Sequence, residues 1–79
     1  MKEEDIVDAV YRAVVDHIYS VVPPKRIEDV EVSVSIGEGD EIIIEVQLVT
    51  DRSPEIDQRT VEEAVKIGSE KADELMKSQ

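Results

Sequence analysis

The residues of this sequence that could take part in acid–base or metal chemistry are one histidine and many carboxylates. His17 is the only histidine, and cysteine is absent. The spacing of apolar residues around His17 puts it at the border of the apolar face of a helix, and no serine or cysteine elbow accompanies it. The lack of cysteine excludes disulfides, zinc–thiolate sites and a thiol nucleophile. We therefore predict no catalytic residue.

A second cluster of candidate ligands is the acidic loop that contains Glu38, Asp40 and Glu41 beside Gly37 and Gly39. Hard cations bind oxygen-rich loops, but the spacing of a calcium-binding loop is missing here. The two glycines join strands and open no helix, so they form no dinucleotide fingerprint. A chain this short is too small to build a pocket for paired catalytic carboxylates. We expect solvated turn acids, no metal ion, no cofactor and no enzymatic activity.

The acidic loop lies inside a stretch from Val30 to Thr50 that has the pattern of a β-hairpin. Successive side chains of a strand point to opposite faces, so residues of one parity share a face. The even positions are apolar: Val30, Val32, Val34, Ile36, Ile42, Ile44, Val46 and Leu48. The odd positions form a largely polar outer face: Glu31, Ser33, Ser35, Ile43, Glu45, Gln47 and Val49.

The parity of this pattern restricts the turn. A two-residue loop would pair even positions with odd ones and separate the apolar faces. A three-residue loop from Gly37 to Gly39 keeps the faces together, pairs Val34 with Ile42 and puts Gly39 in the left-handed conformation. A loop from Glu38 to Asp40 has the same parity and stays open as an alternative.

A helix is predicted on each side of the hairpin. The first runs from about Glu3 to Val22 and ends at two prolines. Its apolar stripe covers about 200°, which is wider than one core-facing stripe needs. The second starts near Asp57 or Thr60, where the sequence fits a capping box, and runs to about Lys77. Before it, Ser53 and Pro54 could begin a short turn.

The resulting α-β-β-α order predicts a single α+β domain over residues 1–79, with both helices on the even face of the hairpin. Two strands are only about 10 Å wide, whereas two packed helices need roughly 18–20 Å. Neither strand has an interior proline or lysine to guard its edge. We therefore expect the sheet to be extended by dimerisation, either with a second copy or with another protein.

The residues expected at such an interface come from three places. The first is the excess width of the first helix, the second is the outer face of the sheet, and the third is a ridge of small residues on the second helix. That ridge would allow close approach either of the first helix and the sheet or of a partner subunit. The candidate interface residues are Tyr11, Val15, Tyr19, Ile43, Ala64, Gly68 and Ala72.

The formal net charge of −11 limits the possible partners. An acidic chain repels phosphate backbones, so we expect no direct nucleic-acid binding. No apolar run reaches the ~18 residues of a membrane span, and the N-terminus is acidic and unlike a signal peptide, so we expect a cytoplasmic protein. Asparagine is absent while Glu, Lys, Ile and Val are plentiful, a composition typical of thermophilic proteins.

Two resemblances add to this reading. The end of the first helix (Ile18 to Lys25), the hairpin and the helix start Val61 to Val65 together resemble a short archaeal family of unknown function. The hairpin followed by a helix also resembles the small dimerising subunit of the KEOPS complex, which makes threonylcarbamoyl-adenosine on transfer RNA. That subunit has a strand before its first helix, and this chain opens directly on a helix. The resemblance implies a non-catalytic assembly role.

We therefore predict a non-enzymatic interaction or assembly subunit that works as a homodimer or heterodimer. An accessory role in a threonylcarbamoyl-adenosine-forming complex is the specific function that the resemblance implies. The alternative is an acidic binding module for a basic protein partner or a divalent cation.

Overall fold

The computed structural model describes residues 2–77 and confirms the α-β-β-α order. Helix α1 spans Glu3–Val21, strand β1 Ile27–Ile36, strand β2 Ile42–Thr50 and helix α2 Pro54–Lys77, with a 3₁₀ turn at Pro24–Arg26 between α1 and β1. The strands form one antiparallel two-stranded sheet. Both helices pack on its even face, α1 mainly over β1 and α2 mainly over β2.

The core lies between the two helices and the sheet. Ile6, Val10, Val14 and Ile18 of α1 are buried at the i, i+4 spacing that the sequence indicates. From α2, Ala64, Gly68 and Ala72 are buried against them. A Cβ at Gly68 would lie 2.7 Å from Val14 Cγ2 and 2.9 Å from Ile44 Cδ1. The ridge of small residues therefore serves close packing within the chain.

The hairpin uses the second of the two possible turns. Ile36 pairs with Ile42 and Val34 with Ile44, so the predicted pairing of Val34 with Ile42 is wrong. Gly37 N–H donates to Glu41 O (2.8 Å), which closes a loop of Glu38, Gly39 and Asp40. Asp40 has the positive φ of 61°, and no glycine does. Aspartate tolerates this conformation through its short polar side chain, so Gly39 is not needed there.

Helix α2 begins earlier than the capping-box pattern indicates. Ser53 Oγ accepts a hydrogen bond from Ile56 N–H (3.3 Å), so Ser53 is the N-cap and Pro54 the first helical residue. Thr60 lies inside the helix, and its hydroxyl donates to the Ile56 carbonyl (3.1 Å). The predicted helix start at Asp57 or Thr60 is therefore wrong, because the helix already begins at Pro54 with Ser53 as its N-cap.

Candidate protein-interaction surface

The even face of the sheet is only partly covered by the chain's own helices. Leu48 is the one apolar even-face residue from Val30 to Leu48 that is buried, at 7% exposure, and the others are half-buried. The core side chains of α1 are by contrast at most 4% exposed. The helices therefore bury each other's apolar side chains more completely than they bury the sheet.

The free edge of β1 carries backbone groups that the sheet does not use. In an antiparallel ladder, hydrogen-bonded and non-hydrogen-bonded pairs alternate. The bond between Gly37 and Glu41 makes the odd pairs the bonded ones. The N–H and C=O groups of Val30, Val32 and Val34 therefore point away from β2, toward the open edge.

An apolar strip on α1 lies next to this edge. Tyr11, Val15 and Tyr19 follow one another at i, i+4 spacing on the side of α1 next to Val30 and Val32 of β1, whereas His17 lies on the side that contacts Glu63 of α2. Together with Val30 and Val32 they line a narrow cleft of about 60 Å³. Tyr11 and Tyr19 are each 44% exposed and Val15 is half-buried. We call the free edge of β1 and this strip the β1-edge surface.

Acidic groups border the β1-edge surface. A wider open depression runs from Tyr11 across the middle of β1 and is lined in part by Glu31 and Glu45 of the outer face. Asp29 lies two positions before Glu31 on β1. Neither β1 nor β2 contains a lysine or an arginine. The edge therefore combines unpaired peptide groups, apolar side chains and negative charge.

The structure brings only some of the predicted interface residues together. Tyr11, Val15 and Tyr19 form the strip on α1, while Ile43 lies exposed on the outer face of β2. Ala64, Gly68 and Ala72 are buried inside the chain, so the ridge of small residues contacts the chain's own elements and not a partner subunit. They offer no surface to a partner unless the core opens, and we leave them out of the β1-edge surface.

The other candidates for chemistry stay apart from one another. His17 Nε2 lies 3.5 Å from Glu63 Oε2 at the contact between the helices, and this nitrogen is buried without a hydrogen-bond partner in residues 2–77. The acids of the hairpin loop are exposed. Within the same residues, no three His, Asp or Glu side chains are grouped so that they could hold a metal ion.

A polar cluster at the junction of β2 and α2 was not predicted from the sequence. Asp57 is only 6% exposed and accepts hydrogen bonds from the Thr50 hydroxyl (2.5 Å) and the Thr50 backbone N–H (3.1 Å). Arg52 Nη2 lies 3.1 Å from Asp57 Oδ1 and also donates to Thr60 Oγ1 (3.3 Å). Each side chain of the cluster has a partner, which buried polar groups require.

The environment of Asp57 lowers its pKa. Burial by itself would raise the pKa, but the hydrogen bonds from Thr50 and the positive charge of Arg52 outweigh burial and hold it below its ordinary value of 3.8. The cluster ties β2 to the first turns of α2. Because each polar side chain of the cluster has a hydrogen-bond or ion-pair partner within the chain, we assign the cluster a structural role.

The fold and this surface define a small α+β protein with an open strand edge. The chain belongs to the family described as "Protein of unknown function (DUF3194)", which matches residues 2–75. It is also similar to an uncharacterised protein of Methanocella arvoryzae, with 66% identity over 76 residues that cover 96% of this chain and 95% of the relative. No solved structure matches the chain.

These relatives confirm the predicted resemblance to an uncharacterised archaeal family. They show no relationship to the KEOPS subunit. Within residues 2–77, neither helix is long and apolar enough to cross a lipid bilayer.

Proposed function

We propose that this protein is a non-catalytic interaction or assembly subunit that binds another protein chain at the β1-edge surface. The observation that carries the proposal is the unpaired β1 edge next to the exposed side chains of Tyr11 and Tyr19. Tyrosine contributes large contact areas at low entropic cost, and it is enriched at the energetic centres of protein interfaces.

The incomplete burial of the sheet supports the same function. A two-stranded sheet is marginally stable alone and gains from added strands. An edge without lysine, proline or a covering segment is open to pairing with another chain. A partner at this edge would bury more of Val30, Val32 and Val34 and would satisfy their peptide groups.

The alternative function, an acidic binding module for a basic protein partner, is compatible with this proposal. Glu31 and Glu45 beside the edge favour a partner with basic side chains over an acidic one. A cation is not part of the proposal. An accessory role in transfer-RNA modification rests on the KEOPS resemblance alone, and no observation on this surface favours it.

A co-purification experiment tests the proposed function. The tagged chain is used to recover stoichiometric partners from an extract of the source organism, and the complex is sized by light scattering. We expect a partner that wild type retains and Tyr11→Ser/Tyr19→Ser loses. Ile56→Ser is the matched control, because Ile56 is equally exposed but lies on α2. The proposal fails if no assembly forms or if the tyrosine variant binds as well as wild type.

A further inference from the structure

Helix α1 projects beyond the edge of β1 and leaves room for one added strand. Packed helix axes lie about 8–10 Å apart, so the axis of α1 lies roughly 4–5 Å from the midline of the hairpin. Strand β1 lies only about 2.4 Å from that midline, since neighbouring strands are about 4.8 Å apart. A third strand at roughly 7 Å would lie beneath the outer half of α1. The cleft lined by Tyr11, Val15 and Tyr19 of α1 is also lined by Val30 and Val32 of β1, so it lies on the β1 side of the hairpin.

A second copy of the chain does not fit there with its helices on the same face. Pairing of two β1 edges would place the hairpin midlines about 9.6 Å apart. Each α1 projects about 4–5 Å toward the other, so the two helix axes would almost coincide, whereas packed helices need 8–10 Å. The same mismatch between helix and strand widths persists, because a dimer has four helices over four strands.

The opposite orientation of a second copy fails for a chemical reason. With its helices on the other face, its odd residues would lie under the strip of α1. Glu31 and Ser33 of the second copy would then face the apolar side chains of Tyr11 and Val15, which buries a carboxylate without a partner. The net charge of −11 on each copy adds repulsion.

We infer that the occupant of the β1-edge surface is an extended, helix-free segment of a basic protein, bound as a third strand. This inference rests on the proposed function and names its ligand. Side chains of one parity on the segment enter the cleft under α1 and are apolar. Side chains of the other parity are lysine or arginine and lie beside Glu31 and Asp29.

The register of the ladder makes the charge contact close. Odd residues of β1 already bond to β2, so an antiparallel segment meets them as non-hydrogen-bonded pairs, in which opposite side chains are nearest. A cation opposite Glu31 is therefore attracted, and an anion there is repelled. The even residues Val30, Val32 and Val34 supply the backbone bonds to the segment.

The probe is an acetylated, amidated nonapeptide in which lysine and valine alternate. We expect saturable one-to-one binding to the full chain, with amide hydrogen exchange slowed at Val30, Val32 and Val34 and unchanged at the odd residues of β1. Two control peptides, one with glutamate in place of lysine and one with the same residues in blocks, should bind at least tenfold more weakly.

Two double variants test whether the charged side chains and the tyrosines of the β1-edge surface bind the peptide. Asp29→Lys/Glu31→Lys should reverse the preference, so that the glutamate peptide binds more tightly than the lysine peptide. Tyr11→Ser/Tyr19→Ser should weaken lysine-peptide binding at least tenfold, and Ile56→Ser should leave it unchanged.

The inference is overturned if the lysine peptide fails to bind at millimolar concentration. Binding without protection of the even β1 amides also overturns it, as does protection of those amides by self-association of the chain. A partner recovered by co-purification that contacts the tyrosine strip without an extended segment would leave the proposed function intact and refute this ligand. If co-purification recovers no partner and the lysine peptide does not bind, the proposed function itself is refuted.

Discussion

At the scale of single residues, Asp57 makes buried polar contacts with both Thr50 and Arg52. Its carboxylate is buried and bonded by Thr50 and Arg52, so truncation leaves these donors without an acceptor. We expect Asp57→Ala to lower the free energy of unfolding by about 3 kcal/mol. Asp51→Asn is the control: Asp51 pairs with Arg26 at 3.5 Å, but both side chains are at least half exposed. Its effect should stay below about 0.5 kcal/mol in urea unfolding.

Asp57 also predicts a pH dependence. Because its pKa is lower in the folded state than in the unfolded chain, the folded state takes up the proton less readily. The stabilisation is complete above the unfolded pKa and is lost as the pH falls through the folded value. Between about pH 5 and pH 2, the stability of Asp57→Asn should therefore fall less steeply than that of wild type. Equal slopes for the two proteins in urea titrations would contradict the assignment.

Gly68 is a second residue whose effect follows from its contacts. Alanine favours a helix interior by about 1 kcal/mol over glycine, yet a Cβ here would meet Val14 Cγ2 at 2.7 Å. We expect Gly68→Ala to be destabilising by about 1 kcal/mol, because overpacking exceeds the gain in helix propensity. A Cβ would also lie 2.9 Å from Ile44 Cδ1, so in the background of Val14→Ala/Ile44→Val, where both obstructing methyl groups are gone, the same change should become stabilising. A thermodynamic mutant cycle measures this reversal, and an unchanged sign would contradict the packing argument.

At the scale of the elements, the hairpin loop is where sequence and structure differ most clearly. Asp40, not Gly39, has the left-handed conformation. We expect Asp40→Gly to stabilise the protein by about 0.5–1 kcal/mol, since glycine adopts positive φ without strain. Gly39→Ala should be nearly neutral, because the only near atoms are at the flexible end of the Glu41 side chain. Thermal unfolding of both variants separates the two registers: a turn with Gly39 in the left-handed position requires the opposite ranking.

The sequence predicts those features that depend on periodicity. Strand alternation identifies the even face, and helical spacing identifies Ile6, Val10, Val14 and Ile18 as core. Parity alone permits two registers, because both keep Val34 and Ile44 on the same face. Which register forms depends on which turn residue adopts the left-handed conformation. The preference of glycine for positive φ predicts Gly39, but aspartate also tolerates this conformation, so the preference does not decide between the two registers.

The missed features depend on contacts between separate elements. The cluster of Thr50, Arg52 and Asp57 joins residues seven positions apart across a turn, and no periodic pattern records it. One signal was present: Asp57 falls on the buried side of α2, in line with Ala64 and Gly68. A carboxylate on an apolar face needs partners. The strip of Tyr11, Val15 and Tyr19 was predicted from the width of the α1 stripe, but its position beside β1 required the fold.

At the scale of the whole molecule, the dominant quantity is the net charge of −11 on 79 residues. Mutual repulsion of like charges destabilises the compact state, and it is screened over about 10 Å at 0.1 M salt. The Arg52–Asp57 contact is mostly shielded from solvent and loses little by screening. We therefore expect NaCl to raise the free energy of unfolding at pH 7, by roughly 1 kcal/mol between 20 and 500 mM.

Measurement of the same salt series near the isoelectric point separates charge screening from other effects of salt. The isoelectric point is about 4.3, and there the net charge and its self-repulsion are close to zero. Stabilisation by NaCl should therefore be much smaller at pH 4.3 than at pH 7, while sucrose, which acts without screening, should stabilise similarly at both. Equal NaCl effects at the two pH values would show that the acidic surface does not oppose folding. If repulsion does oppose folding, a basic segment bound at the β1 edge would stabilise the chain both by added contacts and by neutralising part of its charge.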